Sequence, residues 1–216
     1  MPIPREKLLD AIKRARESSG KRNFVQSIDL TINFKDLDLK KPESRINEEV
    51  VLPHGTGKPR KIAFFAEGEL ARKAREAGAD LLLTRDDIDE LQKNRKRAKD
   101  IANNYDVFLA QADLMSLIGK QLGPILGPRG KMPKPVPPTA DPAAFIERGR
   151  RTVRLRTREQ PTIHVPIGSE TMSDEQLVEN MQAVLEVLEH RLERGLHQVG
   201  SLYLKTTMGK PVKIEV

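Results

Sequence analysis

The chain has 216 residues, 38% hydrophobic and only 4% aromatic, with neither cysteine nor tryptophan. Disulfides and thiolate-held zinc are therefore excluded, and any core must be aliphatic. A net charge of +7 and a pI near 9.6 fit a polyanionic partner, while the lack of any apolar run of about 18 residues leaves no candidate membrane span.

The N-terminal run MPIPREKLLDAIKRARESS becomes charged at once, unlike a secretory signal. Residues 5–18 predict an amphipathic helix with Leu8, Leu9, Ile12 and Ala15 on one face. NFVQSIDLTINF then alternates. Phe24, Ile28, Leu30, Ile32 and Phe34 share one parity, and Ser27, Asp29, Thr31 and Asn33 share the other, the pattern of a half-buried strand with one polar face. On parity alone Phe24 is a core residue. KKPESR is a polar loop, INEEVVL a second strand, and PHGTGKPR closes it.

The pattern then changes. KIAFFA, DLLL and YDVFLA are short, continuous apolar runs. Between and after them lie helical stretches at residues 67–77 (stopped by Gly78), 86–103 (basic in the middle, KNRKRAK) and 114–122. Such alternation predicts a parallel sheet covered on both faces. LGPILGPRGKMPKP follows and superficially resembles a phosphate-cradling loop. It is not a P-loop: Met132, not Ser or Thr, follows Gly130-Lys131, and Ile125 occupies the first glycine position. Pro124 and Pro128 also remove backbone donors. The segment is expected to be a stiff, extended, basic surface loop, with Arg129, Lys131 and Lys134 as candidate phosphate contacts. Asp141-Pro142 opens a further helix, with Asp as N-cap and Pro in the first turn.

After Gly149 the alternating pattern returns. RRTVRLRTR predicts a strand with Arg150, Arg154, Arg156 and Arg158 on one face. These are candidate phosphate contacts, against the plainer reading of a solvated sheet face. PTIHVPIG is another strand. Ser173 and Gln176 form a capping box for a helix whose stripe is Leu177, Met181, Val184, Leu185, Leu188 and Leu192. SLYLKTTMG and VKIEV close the chain as strands. His54, His190 and His197 have no ligand spacing. No nucleophile–base pair appears at motif spacing, so neither metal, cofactor nor enzymatic activity is expected.

Neither end of the chain alone has enough strands for a stable sheet. The expected fold is an α+β discontinuous domain, residues 1–57 and 150–216, with a sheet and packed helices. It carries an inserted three-layer α/β Rossmann-like domain, residues 58–149. The rival function, an α/β enzyme acting on a nucleotide or phosphorylated substrate, rests on fold analogy alone.

LGPILGPRGKMPKP, LPHGTGK, HVPIG and TTMG together resemble the ribosomal protein L-one family of the large-subunit lateral stalk. The resemblance runs from Phe24 to the C-terminus. The short N-terminus and KMPKPVPPT resemble the archaeal type. The resemblance implies a cytoplasmic ribosomal protein, monomeric when free, that binds large-subunit rRNA at the mobile stalk and assists release of exit-site tRNA. It also implies repression of the protein's own mRNA through a similar RNA structure. The implied RNA surface lies on the discontinuous domain and comprises Phe24, Ser27, Ser201, Thr207, Met208 and Gly209, with His164 at its margin. RRTVRLRTREQPT is longer than the bacterial pattern, so contacts in that stretch do not carry over. The bland alternative for Thr207–Met208–Gly209 is a plain turn. A hydroxyl beside bare glycine backbone, however, suits the close approach of RNA 2′-hydroxyls and phosphates.

Overall fold

The computed structural model describes residues 3–20, 22–41 and 44–215. Met1 and Pro2 of the charged N-terminal run, Pro42 and Glu43 of the expected polar loop, and Val216 of the expected last strand lie outside the described residues. The chain divides into two compact units, Met1–Lys58 with Arg151–Val216, and Pro59–Arg150.

The first unit opens with α1 (Arg5–Glu17), β1 (Ser27–Phe34) and β2 (Asn47–Val51). The second contributes β3 (Ile62–Phe65), α2 (Gly68–Glu76), β4 (Leu81–Leu83), α3 (Arg85–Lys93), α4 (Arg95–Asn104) and β5 (Val107–Gln111). It continues with α5 (Met115–Gln121), α6 (Gly123–Leu126) and β6 (Lys134–Val136), and α7 (Pro142–Arg151) leads out of it. The first unit closes with β7 (Thr152–Arg156), β8 (Thr162–Ser169), α8 (Asp174–Arg191), β9 (Val199–Thr206) and β10 (Val212–Ile214).

In the first unit β10-β9-β1-β8 form an antiparallel sheet, and β2 pairs with β7 separately. The period-two pattern of β1 sends Ile28, Leu30, Ile32 and Phe34 inward and leaves the residues between them half-buried. Leu8, Ala11, Ile12 and Ala15 of α1, and Leu177, Met181, Val184 and Leu188 of α8, complete that core. Each fully buried Leu or Ile contributes about 1.5–3 kcal/mol. The α8 capping box is reciprocal: Ser173 Oγ accepts from Gln176 N–H, and Gln176 Oε1 accepts from Ser173 N–H. Both helices sit on the apolar face, so the opposite face of the sheet keeps its polar side chains.

In the second unit β4-β3-β5-β6 is a parallel sheet. Ala63, Phe65, Phe108 and Ala110 pack on one side with residues of α3 to α6. Ile62, Phe64, Leu109 and Val136 pack on the other with α2 and α7. Burial on both faces explains why these strands read as unbroken apolar runs.

Two expected elements differ. The single helix expected over 86–103 is two. Asn94 ends α3 and starts α4, its backbone outside helical geometry and its Oδ1 accepting from Arg97 N–H. Asn caps as readily as it solvates, and no Gly or Pro marks the break. The proline loop is extended only at its end, where Lys134 and Pro135 enter β6. Pro124 occupies the first turn of α6, where its missing donor is harmless, and Ile125 and Leu126 are buried. Lys131 Nζ donates to the Ala102 and Tyr105 carbonyls (2.9 and 2.7 Å), closing the C-terminal end of α4. Arg129 donates to Ile125 O (3.0 Å) and to Asn103 Oδ1 (3.3 Å). A cation on helix-terminal carbonyls is a stabilising contact. Lys131→Met is therefore expected to destabilise the second unit by about 1.5–3 kcal/mol, read as lost hydrogen-exchange protection in α4. Unchanged protection would show that the contact carries no stability.

Candidate nucleic-acid interface

At one end of the first unit's sheet, β9 runs out into Thr207-Met208-Gly209, opposite the start of β1. The loop is held at every residue. Thr207 N–H donates to Ser27 O (3.1 Å), and Ser27 N–H donates to Thr207 Oγ1 (3.0 Å). Met208 N–H donates to Gln26 Oε1 (3.1 Å), and Gly209 N–H to Thr206 Oγ1 (3.0 Å). Gly209 is required by space: a Cβ there would lie 2.3 Å from Thr206 Oγ1 and 3.2 Å from the Ser19 backbone. The outcome is a stiff loop with an exposed Thr207 and a projecting Met208, 56% exposed.

Phe24 precedes β1 instead of lying in it and is 50% exposed, so its shared parity with Ile28 does not place it in the core. Strand alternation ceases where the strand does. Phe24, Val25 and Met208 are thus exposed large apolar residues on segments that meet at this end of the sheet. Apolar side chains left in water in such a group mark an interaction surface.

Above the loop runs the polar face. Ser201 lies opposite Asn33 in the β1–β9 ladder, and His164 lies opposite Thr31 in the β1–β8 ladder. Asn33 Nδ2 donates to Ser201 Oγ (2.8 Å), and Thr162 Oγ1 donates to Asn33 Oδ1 (3.0 Å). Thr31 Oγ1 and His164 Nδ1 share a hydrogen bond of 3.0 Å. Asp29 lies across from Lys205. Burial pushes the Asp29 carboxyl above its ordinary range, and Lys205, His164 and Lys58 pull it back. The face thus offers hydroxyls, an amide, an imidazole and cations around one carboxylate of weakened acidity.

Ser27, His164, Ser201, Thr207, Met208 and Gly209 all belong to this sheet or its terminal loop. The arginine row is broken. Arg150 lies in α7, which persists to Arg151, so its neighbours follow helical and not strand spacing. Its Nη2 donates to Gly78 O (2.7 Å) and lies 3.8 Å from Asp80, both in the second unit. Arg154 and Arg156 are exposed on β7, Arg154 Nε donating to Asn47 Oδ1 (2.7 Å), and Arg158 is exposed beyond the strand. Arg129, Lys131 and Lys134 lie in the second unit.

Sequence reasoning passed over Gln26 and Thr206, both buried and both holding the loop. Each is a polar residue at core parity, Gln26 before Ile28 and Leu30, Thr206 after Leu202 and Leu204. That mismatch was the available signal, since a buried polar group must find a partner. Among the described residues no group of His, Cys, Asp and Glu could hold a metal ion, and no helix is long and apolar enough to cross a membrane.

Residues 13–210 match the sequence pattern of the Ribosomal protein L1p/L10e family. Large ribosomal subunit protein uL1 of Methanothermobacter thermautotrophicus is 52% identical over 209 residues, covering 97% of this chain and 99% of its own. The same protein of Archaeoglobus fulgidus is 49% identical over 214 residues, covering 99% and 100%. That of Pyrococcus horikoshii is 46% identical over 216 residues, covering 100% and 98%. These relatives are archaeal, as the motif resemblance implies. Likeness of this degree over essentially the whole length leaves no room for a shared fragment alone: the chain belongs to the Ribosomal protein L1p/L10e family.

Proposed function

We propose that this chain is a structural constituent of the large ribosomal subunit that binds large-subunit rRNA through its first unit, Met1–Lys58 with Arg151–Val216. In this reading that unit is a discontinuous RNA-binding domain, and Pro59–Arg150 is an inserted Rossmann-like domain. One observation carries it above the others. Thr207-Met208-Gly209 is held by four backbone N–H donors, two of them in bonds with Ser27 of β1 and the others to Gln26 and Thr206, yet Thr207 and Met208 face solvent at the end where Phe24 and Val25 are exposed. A plain turn needs no such restraint. A pre-organised loop that presents Thr207 and Met208 beside exposed apolar flanks, with the Thr207 hydroxyl itself tied to Ser27, suits a rigid RNA surface read through 2′-hydroxyls and shape. His164 and Ser201 extend the surface along the sheet, and Arg154, Arg156 and Arg158 supply phosphate contacts beside it.

Two finer roles belong to the same reading. The surface that holds rRNA also binds a similar structure in the protein's own mRNA, which represses translation when the chain is in excess. The second unit meets exit-site tRNA and assists its release, with Arg129 and Lys134 as phosphate contacts and Lys131, bound to the Ala102 and Tyr105 carbonyls, as a support.

Nuclease footprinting on total rRNA tests the central claim. One protected site in large-subunit rRNA is expected, and Thr207→Val, which removes the hydroxyl that ties the loop to Ser27, is expected to weaken its binding by about 1–3 kcal/mol, the range for a hydrogen bond whose partner is left unsatisfied. Scattered protection, or equal binding by Thr207→Val and wild type, would sink the reading.

A further inference from the structure

The HGTGK segment, residues 54–58, follows β2 at the end of the first unit's N-terminal part. It is tightly built. Asn180, fully buried on α8, accepts from His54 N–H (3.1 Å) through Oδ1 and donates to the Gly55 and Ile167 carbonyls (both 2.8 Å) through Nδ2. Thr56, also buried, donates its hydroxyl to the Lys58 carbonyl (3.3 Å). Gly57 has φ +67°, and a Cβ there would lie 2.4 Å from Ser169 Oγ. A fully buried amide with its hydrogen bonds satisfied specifies one backbone path. The path ends at Lys58, whose exposed Nζ donates to Ser27 Oγ at 2.7 Å.

That contact is uneconomical as a stability device. A lysine ammonium on a solvated hydroxyl gains little, because both groups are well satisfied by water. The Asp29 carboxylate, which Lys58 acts on, is weakened by burial and is also under the influence of Lys205, opposite it in the ladder, and His164. Lys58 and Lys205 both act on the half-buried Asp29 carboxylate, while the Glu170 carboxylate at this end of the sheet accepts from Gln26 Nε2 (3.3 Å).

We propose that Lys58 is a phosphate-contacting residue of the RNA surface, delivered by the rigid HGTGK segment and oriented by Ser27, so that its ammonium and the Ser27 hydroxyl grip one backbone phosphate of the bound RNA. The inference rests on the reading that this face binds RNA. It adds a residue on a different segment from the strand and loop residues already assigned. Ser27 acts here as acceptor to Lys58 while its own proton is free to donate to a phosphate oxygen. Lys58 has two further N–H donors and the charge.

The test uses the full chain and the large-subunit rRNA fragment recovered by nuclease protection with the wild type. Lys58→Gln removes the charge and keeps a donor within reach of Ser27, and Lys58→Arg keeps the charge. Affinity is measured across salt concentrations, with circular dichroism and thermal unfolding matched to wild type. Lys58→Gln is expected to lower affinity about 5–10-fold near 0.1 M salt and to reduce the slope of log affinity against log salt by about 0.7–0.9, the contribution of one neutralised phosphate. Lys58→Arg is expected to retain both within about twofold. A wild-type slope in Lys58→Gln would overturn the proposal. That holds even if affinity falls, since a lysine that merely orients Ser27 releases no counterion. Thr207→Val in the same assay separates the two levels: if it weakens binding while Lys58→Gln does not, the RNA surface stands and Lys58 is outside it. If neither changes anything, the surface itself has been misplaced.

Discussion

Asn180→Leu is expected to destabilise the first unit by about 3–5 kcal/mol, a large part of the 5–15 kcal/mol that usually holds a domain folded. Leucine keeps the branched outline of asparagine and is larger, so no cavity accounts for the loss. What disappears is a set of three hydrogen bonds made by one fully buried side chain. The Ile167 carbonyl is the telling partner. In the β1–β8 ladder Ile28 faces Gly168 and Asp29 faces Pro166, so Ile167 is the extra residue of a β-bulge and stands outside the regular pairing. Its oxygen depends on Asn180 Nδ2, as does that of Gly55, while His54 N–H depends on Asn180 Oδ1. Leucine would strand these three backbone groups, each at about 1–3 kcal/mol less whatever water can recover. Hydrogen exchange of the β8 and residue 54–58 amides under increasing urea gives the number locally, without assuming that both units unfold together. A loss below about 1 kcal/mol would mean that the bulge and the segment support themselves.

Asn180 also shows why the site was only partly legible. Local periodicity is written in the sequence, and what it controls was readable. The alternation of residues 27–34, the apolar β3 run and the Ser173–Gln176 box each depend on neighbours within a few positions. Helix and strand boundaries set by tertiary contact were not. Arg150 reads as a strand residue until α7 is seen to persist to Arg151, and Phe24 reads as core until β1 is seen to begin at Ser27. The Asn94 break and the α6 turn escaped because Asn and Pro serve two roles each, and the choice between them is made by packing. Asn180 sits on the helix face that reads as an apolar stripe, among Leu177, Met181 and Val184, and its partners lie 125, 126 and 13 residues away. Nothing local predicts that pairing. The same holds for Gln26 and Met208, and for Lys58 and Ser27. The motifs mark the segments proposed here for binding; the supports that hold them rigid are long-range and appear only in the folded chain.

Separating the two units is expected to produce the largest difference in binding. Removing Pro59–Arg150 and joining Lys58 to Arg151 through a short Gly-Ser linker leaves the whole first unit. Its core is complete without the removed segment: the cluster running from Leu8 and Ile12 through β1 and β8 to α8 contains no residue between Leu52 and Val153. The removed segment likewise buries its own residues around β3 and β5. Cores that do not share residues should survive separation. The joined first unit is therefore expected to fold and to keep its preference for the protected rRNA fragment over random RNA of equal length. Phe24, Ser27, Lys58, Ser201 and Thr207 to Gly209 all remain in it. Some absolute affinity is expected to go, because the removed segment carries basic residues that attract any polyanion. Pro59–Arg150 alone is expected to fold and to show no preference, a difference between the two pieces on the order of 10³-fold or more on the usual scale of specific over non-specific binding. Circular dichroism and competition binding at fixed salt read both halves. An unfolded first unit would disprove its independence. A folded one that cannot tell the fragment from random RNA would move the binding surface elsewhere, and a discriminating Pro59–Arg150 would reverse the roles assigned to the two units.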